Sequence, residues 1–185
     1  MRKIVVTDIF GKTPALEKLC KAVGGDVDII DPYAGKFMGV MTEEQAYGFF
    51  MANTGVETYC DLLLSRLEKI PSPGILIGFS VGASAIWQIS ESLSRAKVKR
   101  AVCFYGSQVR HLAEINPGFV VDFVLPKHEP GFDIDELANR LAGKKNVVLH
   151  KTPYLHGFMN ELSKNYNKSG YTQYIDWLRQ HVEFT

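Results

Sequence analysis

Five residues of this chain have the types and the order that acyl transfer requires. Ser80 sits in Gly78-Phe79-Ser80-Val81-Gly82, a G-x-S-x-G pattern between an apolar run and a helix-forming stretch. In such a nucleophile elbow the serine backbone is strained and its hydroxyl is thrust outward, so the flanking residues must be nearly without side chains. Gly78, Gly82 and Ala83 meet that demand. A serine hydroxyl is a weak nucleophile at neutral pH and needs an adjacent base, most often a histidine oriented by a carboxylate. His156 is the best base, because it lies in a loop after the last strand-like segment, with Gly157 beside it and Tyr154, Leu155 and Phe158 around it. His150 at a strand end, His111 and His128 in polar loops and His181 on the terminal helix read instead as solvated or packed.

The acid must come between Ser80 and His156 and follow a strand, since the order serine, acid, histidine is the one expected in a sheet of this type. Glu129 and Asp133 both qualify. Glu129 is closer to the strand end and is followed by Pro130, whereas Asp133 serves equally well as the N-cap of the next helix, which favours Glu129. Charge developing on a carbonyl oxygen also needs preformed donors. The backbone N–H of Val81 is one, and the turn after the first strand supplies the second at Ile9. Asp8, beside it, either hydrogen-bonds near Ser80 or caps the turn. A glycine-rich strand-to-helix turn can also be kept for packing alone, which leaves a non-catalytic binding or scaffold protein as the alternative.

These residues need elements to position them. Ile4 to Val6, Val27 to Ile30, Gly74 to Ile77 (bounded by Pro73), Ala101 to Phe104, Gly118 to Leu125 and Asn146 to His150 are apolar runs of the kind that strands buried on both faces show. Between them, Thr13-Pro14 opens a helix that Gly24-Gly25 stops. Others begin at Thr42 after a loop from Gly35 to Val40, run from about Val56 to Lys69, from Val81 to Leu93, from Ile134 to Leu141, and from Tyr171 to Phe184, the last carrying Tyr174, Ile175, Trp177, Leu178 and Val182 on its apolar face. Strands alternating with helices predict an α/β class: a mostly parallel open sheet with helices on both faces, a three-layer sandwich. Ser80 and the loops at Thr7 to Gly11, Pro126 to Asp133 and Lys151 to Asn160 all follow strands, so they converge on one sheet edge. Residues 35 to 70 exceed what a plain crossover needs and are expected to form crossover helices or a reduced lid. Phe37, Met38, Met41, Phe49, Phe50 and Met51 read first as a core-facing stripe and second as an adaptable substrate wall.

Length and composition set the outer bounds. A chain of 185 residues suits one domain, 1–185. The 21 basic and 20 acidic side chains leave no charge imbalance, which disfavours nucleic acid or an anionic membrane as a partner. Cys20, Cys60 and Cys103 show neither a disulfide framework nor zinc-site spacing, and read as buried thiols of a reducing compartment. With no targeting signature and no span-length apolar stretch, a cytoplasmic location is expected. The expected partner is a small acyl substrate. No metal or organic cofactor is expected, and the oligomeric state is left open.

With these residues in view, the sequence resembles the dienelactone hydrolase family of α/β-hydrolases. The resemblance spans nearly the whole chain: Asp8-Ile9-Phe10-Gly11, Asp31-Pro32-Tyr33 after the second strand, the elbow, Ala101 to Gly106 (AVCFYG) and His156-Gly157-Phe158. It implies an α/β-hydrolase fold, with Ser80 as nucleophile, His156 as base, and Ile9 and Val81 as oxyanion donors. Three positions depart from the family pattern. Ser80 stands where the founding members have cysteine, Glu129 where the acid is usually aspartate, and Asn160 where an arginine binds a substrate carboxylate. The chain begins at what resembles the third strand of the full hydrolase sheet, a minimal version with little room for a large cap. The reading as a whole is a small serine hydrolase acting on an ester, lactone or related acyl bond.

Overall fold

A computed structural model describes residues 2–39, 41–70 and 74–183. The loop end expected at Val40, the strand boundary at Pro73, the helix end at Phe184 and the side chain of Val182 lie outside the described residues. Six strands, β1 (Lys3–Val6), β2 (Val27–Ile30), β3 (Gly74–Phe79), β4 (Val98–Phe104), β5 (Val120–Leu125) and β6 (Val147–Lys151), form one sheet in the order β2-β1-β3-β4-β5-β6. Every neighbouring pair is parallel.

Side chains alternate across the strands and divide the core in two. Ile4, Val6, Leu76, Ala101, Cys103, Val121 and Phe123 face one layer with α3 (Gly55–Glu68), α4 (Val81–Ile89) and α5 (Ile134–Leu141). Val5, Ile75, Ile77, Val102, Phe104 and Val124 face the other, with α1 (Pro14–Val23) and α6 (Lys168–Glu183). The expected three-layer sandwich is the structure observed. No helix among the described residues is long and apolar enough to cross a membrane.

Local chemistry explains most of the helix boundaries. Thr13 Oγ1 accepts the Leu16 N–H at 3.1 Å, with Pro14 in the first turn of α1, and Gly24 at φ 75° ends it. Thr42 and Gln45 exchange side-chain and backbone bonds in a capping box that starts α2 (Glu43–Asn53). Several boundaries differ from the sequence reading, among them β4, which begins at Val98 rather than Ala101, and α6, which begins at Lys168 rather than Tyr171. α4 stops at Ile89 rather than Leu93, where Ser90 Oγ and Ser92 Oγ donate back to the carbonyls of Trp87 and Ile89. A short 3₁₀ turn, Ser107–His111, follows β4 with no side-chain cap to announce it.

The segment from 35 to 70 divides between two roles. α3 buries Tyr59, Cys60, Leu63 and Leu67 as a core crossover helix. Of the six apolar residues singled out there, Phe50 is fully buried, Met38 and Phe49 pack at the core margin, and Phe37 and Met51 are exposed. The core stripe is therefore narrower than the six residues suggest.

Two close contacts hold the sheet and generate measurable expectations. The N-terminal turn of α4 crosses the end of β1 so tightly that a Cβ on Gly82 would lie 2.4 Å from the carbonyl oxygens of Val6 and Thr7. Gly82→Ala should therefore cost about 1–3 kcal/mol in urea unfolding, the usual penalty of overpacking. Below α6, the fully buried Asp122 of β5 accepts bonds from Arg100 of β4, with Nη2 at 2.9 Å, and from His150 Nε2 of β6 at 2.8 Å. Burial acts to raise the Asp122 carboxyl, but the His150 and Arg100 bonds and the charge of Arg100 outweigh it, and the net shift is downward. A carboxyl depressed on folding stabilises above the ordinary carboxylate range, and that contribution is lost as pH falls through its native value. Asp122→Ala should destabilise by about 3–5 kcal/mol near neutral pH, from the unpaired charge left behind. It should also flatten the acid limb of the stability-versus-pH curve.

Candidate active site

Because all six strands run the same way, their carboxyl ends lie along one edge, and β1 and β3 flank the point where the strand order reverses. The expected convergence of loops occurs there. Ser80 follows β3 with φ 52° and ψ −115°, outside the ordinary regions for a residue with a side chain. Its N–H is held by the Phe104 carbonyl at 3.0 Å. Gly78 permits the turn, since a Cβ there would lie 2.8 Å from Ala83 backbone atoms.

His156 Nε2 lies 3.0 Å from Ser80 Oγ, and His156 Nδ1 lies 2.5 Å from Glu129 Oε1. Glu129 is buried. Asp133 is engaged elsewhere, since its Oδ1 accepts the N–H groups of Asp135 at 2.7 Å and Glu136 at 3.3 Å and so caps α5. Of the two acids between Ser80 and His156 that the sequence leaves open, Glu129 is the one that touches the imidazole. The His156 loop is fixed from its backbone and its ring. Asn165 Nδ2 donates to the His156 carbonyl at 2.9 Å, and the Tyr105 ring packs with its centroid 4.8 Å from that of the imidazole.

Val81 opens α4, so its N–H is a first-turn donor that the helix itself leaves unmatched. In the β1 turn, Asp8 takes the Phe10 N–H on Oδ1 at 3.0 Å and the Gly11 N–H on its carbonyl at 3.1 Å, so the Ile9 N–H lies outside the turn's own bonds. Asp8 thus caps the turn. Its Oδ2 also accepts Asn160 Nδ2 at 2.6 Å, joining the β1 turn to the His156 loop. Burial pushes the Asp8 carboxyl up, against the opposing pull of Asn160, the Phe10 N–H and His156.

Tyr33 and Tyr59 support the site and carry no chemical signature in the sequence that marks them for it. The Tyr33 hydroxyl donates to the Ile9 carbonyl at 2.7 Å, and the Tyr59 hydroxyl donates to the Ile30 carbonyl at 2.9 Å. Asp31-Pro32-Tyr33 provides the only sequence signal for Tyr33: Asp31 accepts the N–H groups of Tyr33 and Gly35 and so aims the ring back at the β1 turn.

The cleft above Ser80 measures about 350 Å³ and is walled by the β1 turn, the 3₁₀ turn after β4, the His156 loop and the start of α2. The side chains that α2 contributes are Glu43, Glu44 and Tyr47, none of them from the apolar stripe. A larger, open groove of about 620 Å³ runs along Pro126 to Asp135, Glu129 among its lining, and includes neither Ser80 nor His156. Among the described residues no group of three or more His, Cys, Asp or Glu side chains is arranged to hold a metal ion. Burial pushes the Cys20 and Cys60 thiols up to about 11 and about 12, and Cys103 higher still, so the sulfurs stay protonated.

No protein-family model matches the chain. The uncharacterized protein YczH of Bacillus subtilis (strain 168) is 28% identical over 187 residues, covering 97% of this chain and 91% of that protein. Among solved structures, the monoacylglycerol lipase of Paleococcus ferrophilus aligns at a TM-score of 0.62 with 15% identity, over 97% of this chain and 94% of that one. A dienelactone hydrolase-like promiscuous phosphotriesterase from metagenomic libraries aligns at 0.65 with 13% identity, over 98% and 85%. The mouse alpha/beta hydrolase domain-containing protein 10 aligns at 0.66 with 12% identity, over 98% and 89%. At these identities the likeness is one of architecture, and with the six parallel strands and their flanking helices it shows that this chain has the α/β-hydrolase fold.

Proposed function

We propose that the protein is a serine hydrolase that cleaves an ester, lactone or related acyl bond of a small substrate through an acyl-enzyme. The observation that carries this reading is the His156 ring, which bridges Ser80 Oγ at 3.0 Å and Glu129 Oε1 at 2.5 Å. The esterase and lipase neighbours on the same fold agree with it.

In this mechanism Ser80 Oγ attacks the carbonyl carbon while His156 Nε2 takes its proton. Glu129 holds Nδ1–H, fixes the tautomer and stabilises the imidazolium as it forms. The Val81 and Ile9 N–H groups receive the developing oxyanion, each such donor being worth about 3 kcal/mol of transition-state stabilisation. Collapse expels the leaving group with the proton from His156, and a water activated by the same imidazole then releases the acid. The nucleophile is an alcohol, so the serine depends on this base more strongly than a thiol would.

Purified protein should release p-nitrophenol from a short-chain p-nitrophenyl ester, and Ser80→Ala should abolish the release. Glu129→Gln should lower kcat by about 10³–10⁴-fold. Asp133→Asn, which keeps a capping side chain, should remain within a few-fold of the parent. A fluorophosphonate should label Ser80; an unlabelled serine with equal wild-type and Ser80→Ala rates would show a binding protein that retains the elbow for packing.

A further inference from the structure

We infer that the cleft takes a substrate whose leaving group carries a positive charge and discriminates against one whose leaving group carries a carboxylate, an inference that rests on the serine-hydrolase reading. The charged side chains that wall the cleft are Asp8, Glu43 and Glu44, and among the described residues no lysine or arginine lines it. Asp8 turns its oxygens to Asn160 and the Phe10 N–H, and burial raises its carboxyl, so Glu43 and Glu44 are the cleft's more exposed acids. Asn160, in turn, has given its Nδ2 to Asp8 and its Oδ1 to the Leu162 N–H, and offers no cation to a substrate carboxylate. The acids do not themselves make the site; the Ser80 cleft does, and they set its sign.

The position of Glu43 says which half of the substrate meets that sign. Its Oε1 accepts the Ser163 hydroxyl at 2.5 Å, and a Cβ on Gly157 would lie 3.9 Å from the same oxygen. Glu43 therefore borders the residue next to His156, and the departing group is the half of the substrate that must come within proton-transfer reach of that imidazole. The nearby cations do not cancel it. Lys164 Nζ stands 3.9 Å from Glu43 Oε2 on an exposed side chain, so it offsets only part of the Glu43 charge, exposed pairs of this kind contributing little. Arg110 is turned onto the Ser107 carbonyl at 2.7 Å and the Phe132 ring, with 5.0 Å to the ring centroid.

With a thioester the step is balanced without any further reactant. The Ser80 Oγ–C bond forms, the C–S bond breaks, the sulfur leaves with the proton taken from Ser80 through His156, and water later regenerates the serine. Three thiobutyrates of similar size separate the possibilities: butyrylthiocholine, its neutral carbon isostere S-(3,3-dimethylbutyl) thiobutyrate, and S-butyryl-3-mercaptopropionate, each followed by released thiol. At low ionic strength kcat/KM should fall about tenfold from the cation to the neutral ester and about tenfold again to the anion. Both ratios should shrink at about 0.5 M salt. The double variant Glu43→Gln, Glu44→Gln should bring them to within about twofold of unity. A neutral ester hydrolysed as fast as the cationic one, no turnover of the cationic ester, an anion ahead of the neutral ester, or ratios unchanged in the variant would each overturn the inference. Fluorophosphonate labelling of Ser80 in the same preparation separates the two readings. A labelled serine with flat ratios removes only the charge preference, and an unlabelled one removes the hydrolase reading as well.

Discussion

The structure depends first on how closely α4 approaches the end of β1. At Gly82 the backbone carbonyls of Val6 and Thr7 occupy the space that any side chain would need, and at Gly78 the backbone of Ala83 does the same. That approach allows Ser80 to adopt φ 52°, and it brings the Val81 N–H beside the β1 turn that carries Ile9. A larger residue at either glycine would separate strand from helix, and with them the two N–H groups proposed to share one oxygen. The backbone strain at Ser80 is carried by the buried strands around it, since Gly74 to Phe79 is buried throughout.

The second half of the site is held less by packing than by a chain of polar contacts running between loops. Tyr33 ties the β2 turn to Ile9, Asp8 ties the β1 turn to Asn160, Asn165 holds the His156 carbonyl, and Ser163 ties the same loop to Glu43 at the start of α2. Each link joins segments that enter the sheet edge from different strands or helices. Loops carry the chemistry in such folds because a rigid sheet supplies their anchor points. Here the loops also brace one another, which keeps His156 within hydrogen-bond reach of both Ser80 and Glu129. α2 belongs to this bracing and to the cleft wall at once, so the acids that colour the cleft are held by the same contacts that hold the imidazole.

Much of the architecture was legible because its signals are local. Apolar runs such as Ala101 to Phe104 and Gly74 to Ile77, separated by capped helices, read directly as strands of a parallel sheet, and all six runs lie in strands of one sheet. Thr13, Thr42, Gly24 and Asp133 marked helix ends through bonds that span no more than four residues. The boundary missed at Ile89 and the 3₁₀ turn at Ser107–His111 depend on serine hydroxyls competing for backbone carbonyls and on uncapped local geometry, which leave weak traces in residue type.

By itself, then, the sequence determined the layered α/β class, the strand-to-helix turn that carries Ser80, and the histidine and carboxylates that were candidates to stand beside it, since strand periodicity, small-residue spacing and chain order are one-dimensional properties. Only the tertiary structure shows which of Glu129 and Asp133 touches His156, because both follow β5 and the difference lies in which carboxylate points back across the sheet edge to a histidine 27 residues away. It alone assigned Asp8 to Asn160, Tyr33 to Ile9 and Glu43 to the His156 loop. These partners lie 152, 24 and, for Glu43 and Ser163, 120 residues apart, and no spacing rule connects residues brought together by the folding of a whole sheet.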